Sequence, residues 1–260
     1  EFPQRYNFGF IASTDDHTAR PGTGYKQYER RKMTFATGVK SKMWEYQYEA
    51  DDPNFPEIPK ITPGESQPDS ERVSSFVYPG GILAVHAKGR GKDEIWTALK
   101  NKNVYGTSGP KILLWFDLMN APEGKVPMGS EVTMSQNPRF IVRAAGSFKQ
   151  NEGCSDESID SLSSERLEYL CAGECYNPSN EREIIEKIEI IKITPQEYAG
   201  EAISPLIQDP WKTIPCQGTG ECIIEFEDQN FSRDSVYYIR AIQSLTPSIN
   251  GSPLSQRDDF

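Results

Sequence analysis

The residue types best able to do chemistry lie in one stretch, Phe8 to Tyr25, FGFIASTDDHTARPGTGY. Its apolar start, Phe8 to Ala12, predicts a short buried strand. The strand leads straight into Ser13, Thr14, Asp15, Asp16 and His17, and a turn follows at Pro21, Gly22 and Gly24. Carboxylates and an imidazole just past the C-terminal end of a buried strand stand where α/β barrels keep their chemistry. Asp15 and His17 are two residues apart, so both reach one ion only if the chain has left strand geometry there. The pair offers a hard oxygen and a borderline nitrogen, which suits Zn, Mn or Fe. The same triplet also serves as a solvated turn held by local hydrogen bonds.

Beyond His17 comes a basic run in an acidic chain: Arg20, Lys26, Arg30, Arg31, Lys32, Lys40 and Lys42. Beside a metal it would favour an anionic small-molecule substrate; without one it is a solvated face. The second of the two histidines, His86, ends another short apolar strand, Ile82 to His86. Strand-end histidines are often hydrogen-bonded structural residues, so its use at a site is a separate expectation.

The elements that must position these groups fall into two characters. Gly91 to Asn103 predicts a helix, with Asp93 and Glu94 in its first turn and Lys100 and Lys102 in its last, matching the helix dipole. Strand, helix and then VYGTSGP at 104–110 give the rhythm of one βα unit. Residues 48–72 carry Pro53, Pro56, Pro59, Pro63 and Pro68 among many acids, which predicts a long surface excursion. From Lys111 the pattern turns to short strands: 111–118, 140–144, 184–193, 222–226 and 236–242, with one helix near Ser163 to Cys171. That series predicts an antiparallel sandwich of about seven strands. The domains expected are therefore 1–109 and 110–260.

Composition narrows the classes. A net charge of −10 and a pI near 4.9 argue against general nucleic-acid binding. Hydrophobic content of 36% and a mean hydropathy of −0.63 predict long polar loops. No apolar run is long enough for a membrane span. The abrupt start at Glu1 predicts a processed product or a piece of a longer chain. All five cysteines lie in the second half, and no histidine accompanies them. Disulfides are therefore expected rather than structural zinc, implying a periplasmic or extracellular setting. Cys216 and Cys222 bracket a turn-rich QGTGE and are expected to pair; Cys171 with Cys154 or Cys175 is a second candidate.

Several stretches together resemble a known group. They are FGFIASTDDHTARPGTGYK, GGILAVHAKGRGKDEIWTALKNKNVYGTSGPKILLWFDL and CAGECYNPSNEREIIEKIEIIKITPQ, with DPWKTIPC and YYIRAIQSLTPSINGSPL. In order, they are similar to the C-terminal part of a bacterial family of unknown function in the PHP (polymerase and histidinol phosphatase) superfamily. The resemblance implies the C-terminal portion of a distorted (β/α)7 barrel followed by an antiparallel β-sandwich. It implies a metal-dependent phosphoesterase or hydrolase whose ligands include a late Asp-x-His, here Asp15 and His17. The earlier ligands, a His-x-His and a middle Glu and His, would come from outside this chain. The partner implied is the N-terminal portion of the same protein or a companion chain, and this chain alone would be inactive. Arg20 and His86 are substrate-binding candidates on position. The other reading is a non-catalytic β-sandwich binding or assembly module with a remnant of barrel.

Overall fold

The computed structural model describes residues 9–13, 81–171 and 176–246. Among them antiparallel sheets dominate and helices are few. None of these helices is long and apolar enough to cross a membrane.

The first unit is a hairpin with a helix inside its loop. Strand β1 (Ile82–Val85) pairs antiparallel with β2 (Val104–Thr107), Ile82 opposite Thr107 and Val85 opposite Val104. Helix α1 (Lys92–Lys100) lies between them, with Asp93 and Glu94 in its first turn and Lys100 in its last. The βα rhythm predicted from the sequence is present, but no parallel crossover forms between these two strands. The reason lies at the helix end. Lys102 adopts a left-handed φ of 58°, and its N–H bonds back to the Leu99 carbonyl. Such a turn reverses the chain. The loop then closes where it opened, with His86 N–H on the Asn103 carbonyl at 2.9 Å.

Two larger sheets share one core. The first has the order β10-β5-β3-β4, from β3 (Leu113–Ala121), β4 (Gly124–Pro127), β5 (Arg139–Ala145) and β10 (Glu221–Glu227). The second has the order β11-β8-β9, from β8 (Ile185–Ile193), β9 (Ile207–Pro215) and β11 (Val236–Gln243). Alternation decides what faces inward. Leu114, Phe140, Val142, Ala144, Cys222 and Phe226 of the first sheet meet Ile185, Ile188 and Ile190 of the second. Each fully buried isoleucine contributes roughly 1.5–3 kcal/mol by leaving water. Phe140 and Phe226 stack at 5.0 Å, and Tyr237 of the second sheet lies 4.8 Å from Phe140, so aromatic contacts cross between the sheets.

The remaining elements form an arm. Strand β6 (Phe148–Glu152) pairs with β7 (Tyr176–Arg182), and two short helices, α2 (Asp156–Ser161) and α3 (Ser164–Cys171), lie between them in the chain. All five residues of β6 are exposed.

The cysteines act as staples. Cys216, just past β9, is bonded to Cys222 on β10, with Cα atoms 5.7 Å apart. The bond therefore ties the second sheet to the first. Cys154, just past the far end of β6, is also disulfide-bonded.

Candidate functional site

Asp15, His17 and Arg20 lie outside the described residues, as do the basic run and the excursion at 48–72. The approach to them is described. Residues 9–13 form no regular element, and Phe10 and Ile11 are 65% and 77% exposed, against the buried strand predicted for 8–12. Ala12 and Ser13 of this segment lie against the hairpin. A Cβ placed on Gly106 would stand 2.9 Å from Ala12 Cβ, and one on Gly81 would stand 3.2 Å from the Ser13 carbonyl oxygen. At the other end, a Cβ on Gly9 would meet the Lys102 side chain at 3.1 Å. The segment thus runs beside β2 in the same direction. It delivers Ser13 to the Gly81 and Thr107 end of the hairpin, two residues before Asp15.

His86 sits at the opposite end of β1, half-buried. Its Nε2–H donates to the Leu114 carbonyl at 2.9 Å, and its ring lies 5.5 Å from Tyr105 and 6.0 Å from Trp115. Arg143 covers Trp115 at 5.0 Å. Here His86 joins the hairpin to β3.

Tyr105, Asn103 and Gly129 also support that junction. Tyr105 Oη–H donates to the Ile112 carbonyl at 2.9 Å and accepts from Leu114 N–H at 3.2 Å. Burial pushes the Tyr105 phenol up, so it stays a neutral donor. Asn103 Nδ2–H donates to the Met128 carbonyl at 2.7 Å. Gly129, at φ +87°, lies so close that a Cβ would fall 2.4 Å from the Lys102 carbonyl oxygen.

A fully buried carboxylate stands elsewhere. Asp228, fully buried past β10, receives Lys192 Nζ and Tyr237 Oη, each at 2.5 Å, and Asn230 N–H at 3.1 Å. Burial alone would raise its carboxyl, but these hydrogen bonds and the Lys192 charge outweigh that and hold it down. Both carboxylate oxygens are occupied within the protein, so the group ties the sheets together and offers nothing to a substrate. Sequence patterning missed it because its partners lie on separate strands.

No group of three or more His, Cys, Asp and Glu residues placed to hold a metal occurs among the described residues. A family model described as protein of unknown function (DUF3604) matches residues 3–152, more than half of the chain. No curated protein and no solved structure matches the chain.

Proposed function

This chain belongs to the DUF3604 family, and from that premise we propose that it is the C-terminal part of a metal-dependent hydrolase of phosphoesterase type. Asp15 and His17 are the metal ligands it contributes. What supports this reading is the Asp15-x-His17 pair in the sequence, which follows by two residues the Ser13 that lies against Gly81. The donor set fits the group: one carboxylate oxygen and one imidazole nitrogen suit Zn, Mn or Fe. Such an ion, when bound, supplies a water of lowered pKa and a clamp for phosphoryl oxygens. Two ligands leave most of a four-to-six-coordinate shell open, so further ligands come from outside this chain, in the manner of the PHP superfamily. Arg20 follows His17 by three residues and supplies positive charge for an anionic substrate. His86 is a poorer substrate-binding candidate, because its Nε2 is committed to Leu114. Disulfide bonding at Cys216, Cys222 and Cys154 supports a periplasmic or extracellular location.

The second reading, a binding or assembly module without activity, draws on the exposed arm β6–β7. One experiment separates the two. The full-length protein is assayed for hydrolysis of a simple phosphodiester with Mn2+ or Zn2+ present and after chelation. Metal-dependent turnover supports the hydrolase. Full metal loading with no turnover on any phosphate ester leaves the module.

A further inference from the structure

We propose that the outer edge of β11 is an interface between two copies of this chain, which pair antiparallel there about a two-fold axis. The proposal is independent of the hydrolase reading. An edge strand presents a row of unpaired N–H and C=O groups to any extended partner, and proteins normally blunt such edges. The other edges of the two core sheets are blunted. β4 has only four residues. β9 carries Pro210, and its ladder to β8 slips between Ile190 and Lys192. β10 carries Glu221, Glu225 and Glu227. β11, VYYIRAIQ, is rich in β-branched and aromatic residues, and its ladder to β8 is regular from Val236 to Ile242. Among the described residues it pairs on one side only, with β8. Its single charge, Arg240, is turned back across β8 to Glu189 and Asp209, so it does not guard the edge. Tyr237, Ile239 and Ala241 pack against the core yet stay partly open, whereas Ile188 and Ile190 on β8 beside them are fully buried.

Two copies fit in one register. Opposed side chains share a face, so inward residues must meet inward residues. Centring the pair on Ile239 sets Val236 against Ile242, Tyr237 against Ala241 and Tyr238 against Arg240 of the second copy. A large residue then meets a small one on the inner face. A centre at Tyr238 pairs fewer residues of the strand, and one at Arg240 sets two arginines opposite each other, which is destabilising. The two-fold closes the contact, so it stops at a dimer. One strand pair buries less than the ~1,200 Å² of a standard interface, so the dimer is concentration-dependent. The net charge of −10 opposes it at long range, and salt screens that repulsion.

The test is analytical ultracentrifugation of the full-length protein over a range of concentrations in physiological salt. The wild type should shift from monomer to dimer as concentration rises. Tyr238→Lys sets a lysine against Arg240 of the other copy and should weaken the dimer about tenfold or more. Ile223→Lys, at an exposed position on the β10 edge, should leave it unchanged. Circular dichroism and thermal midpoints check that the variants fold. A second measurement does not depend on Tyr238→Lys. In Ile239→Cys the two introduced thiols meet at the two-fold and should link the copies under copper–phenanthroline oxidation, recovered as a 239–239 peptide. In Val236→Cys the introduced thiol faces Ile242 and should not link. A monomer at every concentration overturns the proposal, whether the edge stays open or other residues of the chain cover it. So does a dimer in which Ile239→Cys fails to link, or one that Ile223→Lys weakens as much as Tyr238→Lys.

Discussion

Lys192 reaches across the core to Asp228, with Nζ 2.5 Å from Oδ2, joining β8 of one sheet to the end of β10 of the other. Tyr237, from β11, donates to the same oxygen. Asp228→Ala should therefore cost about 3–5 kcal/mol, because it leaves a buried ammonium and a phenol without an acceptor. The triple change Lys192→Met, Asp228→Leu and Tyr237→Phe should recover most of that loss. Urea unfolding of the two variants checks it, and equal stabilities would refute it.

The same pair sets a pH dependence. The folded Asp228 carboxyl lies below its ordinary value, since hydrogen bonds and the Lys192 charge outweigh the desolvation that would raise it. Its contribution is present above the ordinary carboxylate range and is lost as pH falls through the depressed folded value. The stability gap between wild type and Asp228→Asn should close on acidification. A gap that widens in acid would show the sign to be wrong.

Glu201 and Arg233 make a second acid-sensitive tie. Arg233 donates through Nη1 to Glu201 at 2.8 Å and also bonds the Pro195 carbonyl, pinning the loop after β8 to the start of β11. Hydrogen bonds from Arg233 and from the Glu197 N–H lower the Glu201 carboxyl from 4.5 to about 2. The tie is complete above the unfolded value and fails as pH drops toward the folded one. The protection of amides 196–201 relative to their intrinsic exchange rates should be high near neutral pH and fall toward pH ~2. In Glu201→Gln it should be low throughout.

The disulfide between Cys216 and Cys222 closes a short loop and should contribute about 2 kcal/mol. Replacing both cysteines with alanine should lower the thermal midpoint and loosen the β9–β10 corner. Peptide mapping without reductant should recover the linked pair. Free thiols at both positions would contradict the pairing.

What patterning alone could reach is clear from particular strands. In β8 the alternation of IEKIEIIKI puts Ile188, Ile190 and Lys192 on one face, and the core contains both isoleucines. The lysine is buried with them, which periodicity implies but cannot justify, since Asp228 is 36 residues away. The α1 helix was legible from its charged ends. Its return to an antiparallel partner was not, because it depends on one left-handed lysine, a conformation that residue type does not announce. The strands of the arm, FKQNE and YNPSNER, lack an apolar face, so nothing in their pattern marked them. His86 was visible as a strand-end histidine, but its acceptor is a backbone carbonyl, which leaves no trace in sequence.

The decisive prediction concerns Asp15 and His17. In the full-length protein, His17→Ala and Asp15→Asn should each lose bound Mn2+ or Zn2+ and phosphodiester hydrolysis while the fold survives. Removing a direct ligand should weaken metal binding by more than the 10–100-fold (order of magnitude) typical of residues that only orient ligands. The fold should persist because the core is built from β3 onward, by residues such as Val142, Ile188 and Phe226. Metal content by mass spectrometry, hydrolysis rates and thermal unfolding are read on the same samples. Two turn-capping residues would instead give a small loss of stability and no change in metal. Unchanged metal content in both variants would remove the ground for reading this protein as an enzyme.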